Sequence, residues 1–152
     1  MSNKLAVIGL GNTLRRDDGI GIIILESLLR LYRRKTIDYF NFGIASFDLI
    51  NRIQNYDAVL LIDGIDAALA AGTLKIFKLQ DIQYGFNNLP VSSHELGLKN
   101  LFELYKKFGL KTKVYIAGIQ VKDISYGEVL SPDLARKLDK IIGGINCFVD
   151  KV

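Results

Sequence analysis

The chain has 152 residues, with one histidine, one cysteine, two prolines and no tryptophan. One histidine leaves no room for a two-His zinc motif or a His-pair metal site, and a Ser-His-Asp triad would have to be built around His94 alone. One cysteine, Cys147, excludes an internal disulfide and any Cys-rich zinc or iron–sulfur site, which suits a reducing compartment. The longest apolar run, Ile20–Leu25, falls far short of a membrane span. Met1–Lys4 leads directly into a strand pattern and has no features of a signal peptide. No repeat, linker or low-complexity segment divides the chain. With 49% hydrophobic and 24% charged residues, the expectation is one globular domain over residues 1–152 that is cytoplasmic and needs no structural metal to fold. Nothing specifies an oligomer, so a monomer is expected.

The net charge is +4. The cations cluster at Arg30–Lys35 and Lys106–Lys113, where helix ends are expected, and there they complement the helix dipole. No basic motif is interleaved with aromatic residues, so neither nucleic acid nor membrane is an expected partner.

The elements follow from periodicity. Leu5–Ile8 reads as a buried strand that ends in a Gly-Leu-Gly-Asn turn. Asp17 or Asp18 then caps a helix to about Tyr32, with Ile20, Ile23, Ile24, Leu28 and Leu31 along one stripe. Ile37–Phe42 is a second strand, and Ser46 caps a short helix carrying Leu49, Ile50 and Ile53. Ala58–Ile62 is a continuous apolar run ending at Asp63, the pattern of a central parallel strand covered on both faces. Gly72–Leu79 alternates as an edge strand. Ser92-Ser93-His94-Glu95 forms a capping box that opens a helix to about Phe108, with Leu98, Leu101, Tyr105 and Phe108 facing inward. Lys113–Gln120 is the last strand. Ser131-Pro132-Asp133 supplies a cap, a first-position proline and a first-turn acid for the last helix.

Alternating strands and helices imply right-handed crossovers between parallel strands. The fold class is therefore α/β: a three-layer sandwich of phosphorylase/hydrolase-like type, in which helices cover both faces of a mostly parallel twisted sheet. Ligands in such folds bind outside the carboxyl ends of the strands. Asp17 and Asp18, Asp63 with Asp66 just beyond, and His94 all converge on that edge. Singly, each has an ordinary reading as a helix cap, a strand end or a surface histidine. Jointly, two carboxylates and one imidazole suit a borderline divalent cation with positions left open.

Other chemistries fit less well. Gly9-x-Gly11 begins a dinucleotide fingerprint, but the third glycine position is Leu14, and two carboxylates at the helix start repel a pyrophosphate. No nucleotide cofactor is expected. There is no P-loop lysine and no Gly-x-Ser-x-Gly elbow. Cys147 reads as a buried structural thiol in the last helix. No aromatic sugar platform stands beside Asp18 and Asp63.

Gly9-Leu10-Gly11-Asn12-Thr13-Leu14-Arg15-Arg16-Asp17-Asp18-Gly19-Ile20-Gly21 resembles the opening signature of the hydrogenase maturation endopeptidases. The similarity continues at Leu61-Ile62-Asp63-Gly64-Ile65-Asp66, at Ala71-Gly72-Thr73-Leu74, at Ser93-His94-Glu95-Leu96-Gly97-Leu98 and at Gly118-Ile119-Gln120, in the family's order over nearly the whole chain. The resemblance implies an aspartate-based endopeptidase that clips a C-terminal extension from the large-subunit precursor of a nickel–iron hydrogenase after nickel has been inserted. By position, Asp18, Asp63 and His94 match the family's nickel-contacting residues, with the nickel carried by the substrate. Asp66 is a second candidate for the central acid. One departure stands out. Asn41 lies where members carry an aspartate before a Gly-rich turn, and an amide supplies neither charge nor a base. That departure keeps open a non-catalytic nickel-binding or chaperone module built on the same residues.

Overall fold

A computed structural model describes residues 3–44, 48–81, 91–92 and 98–152, with backbone alone at 91–92 and 98–99. Six strands form one sheet: β1 (Leu5–Leu10), β2 (Ile37–Gly43), β3 (Ala58–Asp66), β4 (Leu74–Lys78), β5 (Val91–Ser92) and β6 (Lys113–Gln120). Four helices accompany them: α1 (Ile20–Tyr32), α2 (Asp48–Ile53), α3 (Leu98–Lys107) and α4 (Pro132–Val149). The strand order is β2-β1-β3-β6-β4, with β5 paired to β3. β1, β2, β3 and β6 run parallel, while β4 and β5 are antiparallel to their neighbours.

Period-2 alternation divides the sheet between two cores. Leu5 and Val7 of β1 and Leu60 and Ile62 of β3 pack under α1 and α4 with Ile20, Ile24, Leu28, Ile141 and Ile145. Ala6, Ile8, Val59, Leu61 and Ile65 pack under α2 and α3 with Leu49, Ile53, Leu101 and Tyr105. This is the three-layer α/β sandwich expected from the sequence. Central β3 is buried from Ala58 through Ile65, as a strand covered on both faces requires.

The structure changes several boundaries. β3 does not end at Asp63 but runs to Asp66, because β6 continues in register through Ile65↔Gln120 and β5 adds antiparallel pairs at Ile65 and Asp66. Ser92, expected as a helix cap, lies in β5, and α3 begins at Leu98. The rest of the capping box and Ser46 lie outside the described residues. Leu31 and Phe108, expected to face inward, are 55% and 59% exposed: Leu31 is in the last turn of α1, off the core, and Phe108 follows the end of α3. Cys147 is exposed rather than buried. It sits two residues from buried Ile145, about 200° around the helix.

Thr112 pins the amino-terminal edge of the sheet. Its hydroxyl is 2.8 Å from the Tyr56 carbonyl and 3.1 Å from that of Ile53, and its own carbonyl accepts from the Tyr105 hydroxyl at 2.7 Å. Thr112→Val removes the donor from a buried site and should cost about 1–2 kcal/mol in urea unfolding. No loss would show that the two carbonyls find other partners. No helix among the described residues is long and apolar enough to cross a membrane.

Candidate active site

The carboxyl edge of the sheet is built from the turn after β1. Gly11 has φ +146, and a Cβ there would lie 2.2 Å from the Asp18 carbonyl oxygen, so only glycine lets the loop fold back this closely. Its N–H donates to the Gly43 carbonyl at the end of β2. The Asn12 backbone N–H donates to Asp18 Oδ2 at 3.2 Å, while the Asn12 side chain closes an Asx turn by accepting from the Leu14 N–H at 3.0 Å. The asparagine of the Gly-x-Gly-Asn sequence thus shapes the loop that meets the Asp18 carboxylate. A second glycine sets how close the helix comes. A Cβ on Gly21 would lie 2.2 Å from both the Leu10 and Ile62 carbonyl oxygens, so its absence lets the start of α1 sit against the carboxyl ends of β1 and β3.

Asp17 and Asp18 do not cap α1. They lie in a 3-10 turn over Arg16–Gly19, and α1 has no side-chain cap bond. Asp17 is fully buried and turns away into the segment before α4. Its Oδ2 accepts from the Lys122 and Asp123 N–H groups, both at 2.9 Å, and from the Ser131 hydroxyl at 2.7 Å. Its Oδ1 accepts from the Ser131 N–H at 2.8 Å. Ser131 precedes α4 as expected, but its hydroxyl serves Asp17, not its own helix. Sequence reasoning missed this seat, because its partners lie 105 to 114 residues apart and no local spacing announces it.

Asp63 is 2% exposed. It occupies the row of Leu61 and Ile65, on the α2/α3 face, opposite Gly118 in the register of β6. Asp66 falls in the other row and is exposed. Its Oδ1 accepts from the Ala68 N–H and from the Gln120 amide, both at 3.2 Å. These two bonds, the backbone one first, hold its carboxyl below the ordinary aspartate range. Gln120 in turn accepts from the Ala67 N–H at 2.7 Å and the Leu69 N–H at 3.3 Å, so Asp66 belongs to a loop-holding network.

His94 lies outside the described residues. Ser92 pairs with Ile65, at the carboxyl end of β3, and α3 leads into parallel β6. The described chain on either side of His94 is therefore on the same edge as Asp63. Among the described residues, no group of three His, Cys, Asp or Glu side chains is placed to hold a metal ion. Two buried carboxylates from separate elements fit a borderline cation, provided the third donor comes from elsewhere.

Asn41 sits at the end of β2, where its Oδ1 accepts from the Gly43 N–H at 2.9 Å. With Phe40, Phe42, Asp48, Asn51 and Arg52 it lines an open cavity of about 810 Å³. The Arg52 guanidinium lies 4.4 Å from the Phe40 ring centre, a cation–π contact.

The family model for hydrogenase maturation proteases matches residues 22–146. The chain belongs to that family. Asp63 and His94 fall within the matched stretch, and Asp18 just precedes it. The hydrogenase 2 maturation protease of Escherichia coli is 28% identical over 139 residues, covering 90% of this chain and 84% of that protein. The hydrogenase expression/formation protein HupD of Thiocapsa roseopersicina is 23% identical over 91% of this chain, which spans 64% of HupD's length. Among solved structures, the E. coli hydrogenase maturating endopeptidase HybD superposes with a TM-score of 0.80, covering 97% of this chain and 93% of that one at 21% identity. The [NiFe] hydrogenase maturation protease HycI of Thermococcus kodakarensis superposes with a TM-score of 0.75, covering 95% and 90% at 20% identity. These superpositions bear out the α/β fold that the sequence suggested.

Proposed function

We propose that the chain is an endopeptidase that removes the C-terminal extension of a nickel–iron hydrogenase large-subunit precursor after nickel insertion, with Asp18, Asp63 and His94 recognising the nickel that the substrate carries. The observation that carries this reading is the pair of buried carboxylates, 1% and 2% exposed, on separate elements at one sheet edge of a hydrogenase maturation protease family member. A divalent cation arriving with the substrate would meet carboxylate donors from two separate elements at that edge.

In this mechanism the two carboxylates and the imidazole occupy open positions on the precursor's nickel and so fix the scissile bond beside it. The metal polarises the carbonyl or activates a water. Water adds to the carbonyl carbon, the C–N bond breaks, and the extension leaves with a new amino terminus. No serine, threonine or cysteine nucleophile is required.

The test is incubation with purified large-subunit precursor, with and without nickel, followed by gel shift. Tail removal only with nickel is the expected result. Tight nickel-dependent association without cleavage would instead favour the assembly-chaperone reading, which the neutral Asn41 keeps in view. Asp18→Asn should slow processing of the nickel-loaded precursor at least tenfold, and a wild-type rate would remove Asp18 from the assignment. Asp66→Asn should leave the rate within twofold, because that carboxylate faces away from the row of Asp63. A loss equal to that of Asp63→Asn would transfer the role to Asp66.

A further inference from the structure

Three large apolar side chains stand in the open beside the site. Leu14 is 57% exposed, Val129 69% and Tyr126 84%. They belong to two segments distant in sequence, yet backbone hydrogen bonds zip these segments together. The Gly127 N–H donates to the Leu14 carbonyl and the Arg16 N–H to the Gly127 carbonyl, both at 2.8 Å, while the Asp17 N–H donates to Asp123 at 3.0 Å. Side chains reinforce the zip. Arg15 Nε donates to the Ile124 carbonyl at 3.1 Å and Arg16 to that of Val129 at 3.4 Å, and the four bonds of Asp17 close it beneath. The backbone is therefore fixed while the apolar groups stay uncovered, so a partner would meet a surface whose ordering cost has already been met.

We propose that Leu14, Tyr126 and Val129 form a docking ridge for the folded body of the large-subunit precursor, distinct from the tail that is cut. The proposal rests on the processing reading given above. The ridge is continuous with the site: Asn12, two residues before Leu14, donates its N–H to Asp18. Whatever sits on the ridge is thereby held next to that carboxylate. Side chains open to this degree are covered by a broad protein face, whereas an extended tail is held in a groove. A tyrosine flanked by aliphatic groups is the composition of an interface centre. Of the two arginines at the ridge, Arg16 also pairs with Asp123 at 3.7 Å, which offsets its charge on this surface, and the three exposed groups are apolar or phenolic.

The test uses the full chain and the nickel-loaded large-subunit precursor, reading KM where the tail is cut, or Kd where the two associate without cleavage. Leu14→Ser, Tyr126→Ser and Val129→Ser are made singly and together. Leu31→Ser and Phe108→Ser, at the far ends of α1 and α3, serve as controls with similar exposure. The triple variant is expected to raise KM or Kd at least tenfold with kcat within twofold of wild type, and the controls to change neither. Unchanged KM in the triple variant beside normal wild-type cleavage overturns the ridge alone. An equal rise in the controls overturns it too. Loss of binding to anionic phospholipid vesicles, with precursor KM unchanged, would reassign the surface to a membrane. A wild-type protein that neither binds nor cuts the precursor overturns the ridge and the processing reading together.

Discussion

Asp17→Ala lowers the thermal midpoint by about 8–15 °C, the shift expected for a loss of about 3–5 kcal/mol in a domain of this length. The wild-type carboxylate is fully buried and accepts four hydrogen bonds at 2.7–2.9 Å. Alanine leaves all four donors without their acceptor. The Lys122 and Asp123 amides are near enough to the surface for water to replace part of what they lose. The Ser131 N–H and hydroxyl are buried, and an unpaired buried donor costs about 1–3 kcal/mol. Ser131→Ala, which removes one donor and leaves the carboxylate three partners, should cost only about 1 kcal/mol. Since Asp17 precedes Asp18 and ties the 3-10 turn to the segment before α4, processing activity should fall together with stability. A midpoint within 2 °C of wild type would mean that the four contacts carry no net stability.

The parts of this structure that were legible in the sequence are those governed by local periodicity. The apolar run 58–62, the stripes of α1 and α4, and the alternation of β4 gave the layers and the fold class, because burial imposes a period of 2 or 3.6 on each element. What escaped depends on contacts across the chain. Ser131, Pro132 and Asp133 carried every local sign of a helix cap, yet the serine hydroxyl went to a carboxylate 114 residues away. Asp63 reads as the end of its strand because the apolar run stops there, while the strand itself is prolonged by register with β6 and β5. Cys147 reads as buried because it lies between Asn146 and Phe148 near the apolar stripe of the last helix, but helical phase turns it outward.

The candidate site shows the same division. An α/β fold brings Asp17, Asp18, Asp63 and Asp66 to the same strand ends; the family resemblance picks out Asp18 and Asp63, and both are buried on that edge. Their neighbours Asp17 and Asp66 are chemically identical and could not be separated by residue type. Geometry separates them. Asp17 has spent its oxygens on four donors, and Asp66 is held by Gln120 and the loop after β3. Asp17 is thereby turned into the segment before α4, and Asp66 lies exposed in the row of β3 opposite to that of Asp63.

Asp63→Asn therefore separates function from folding more sharply than any other substitution at this edge. The amide is nearly isosteric with the acid, and it replaces a side chain near the carboxyl end of the central strand without changing the apolar rows around it. The cooperative unfolding transition should survive, with a midpoint within a few degrees of wild type. With Asp63 meeting the substrate's nickel as proposed, processing of the nickel-loaded precursor should fall about 10²-fold or more, since an amide oxygen is a weaker donor to a divalent cation and carries no charge to offset it. Single-turnover rates at saturating precursor would show whether the loss lies in the chemical step, while Kd would show how much lies in capture of the substrate. A folded Asp63→Asn protein that cuts at the wild-type rate would exclude this carboxylate from the reaction, and the buried acid on β3 would then need a purely structural explanation.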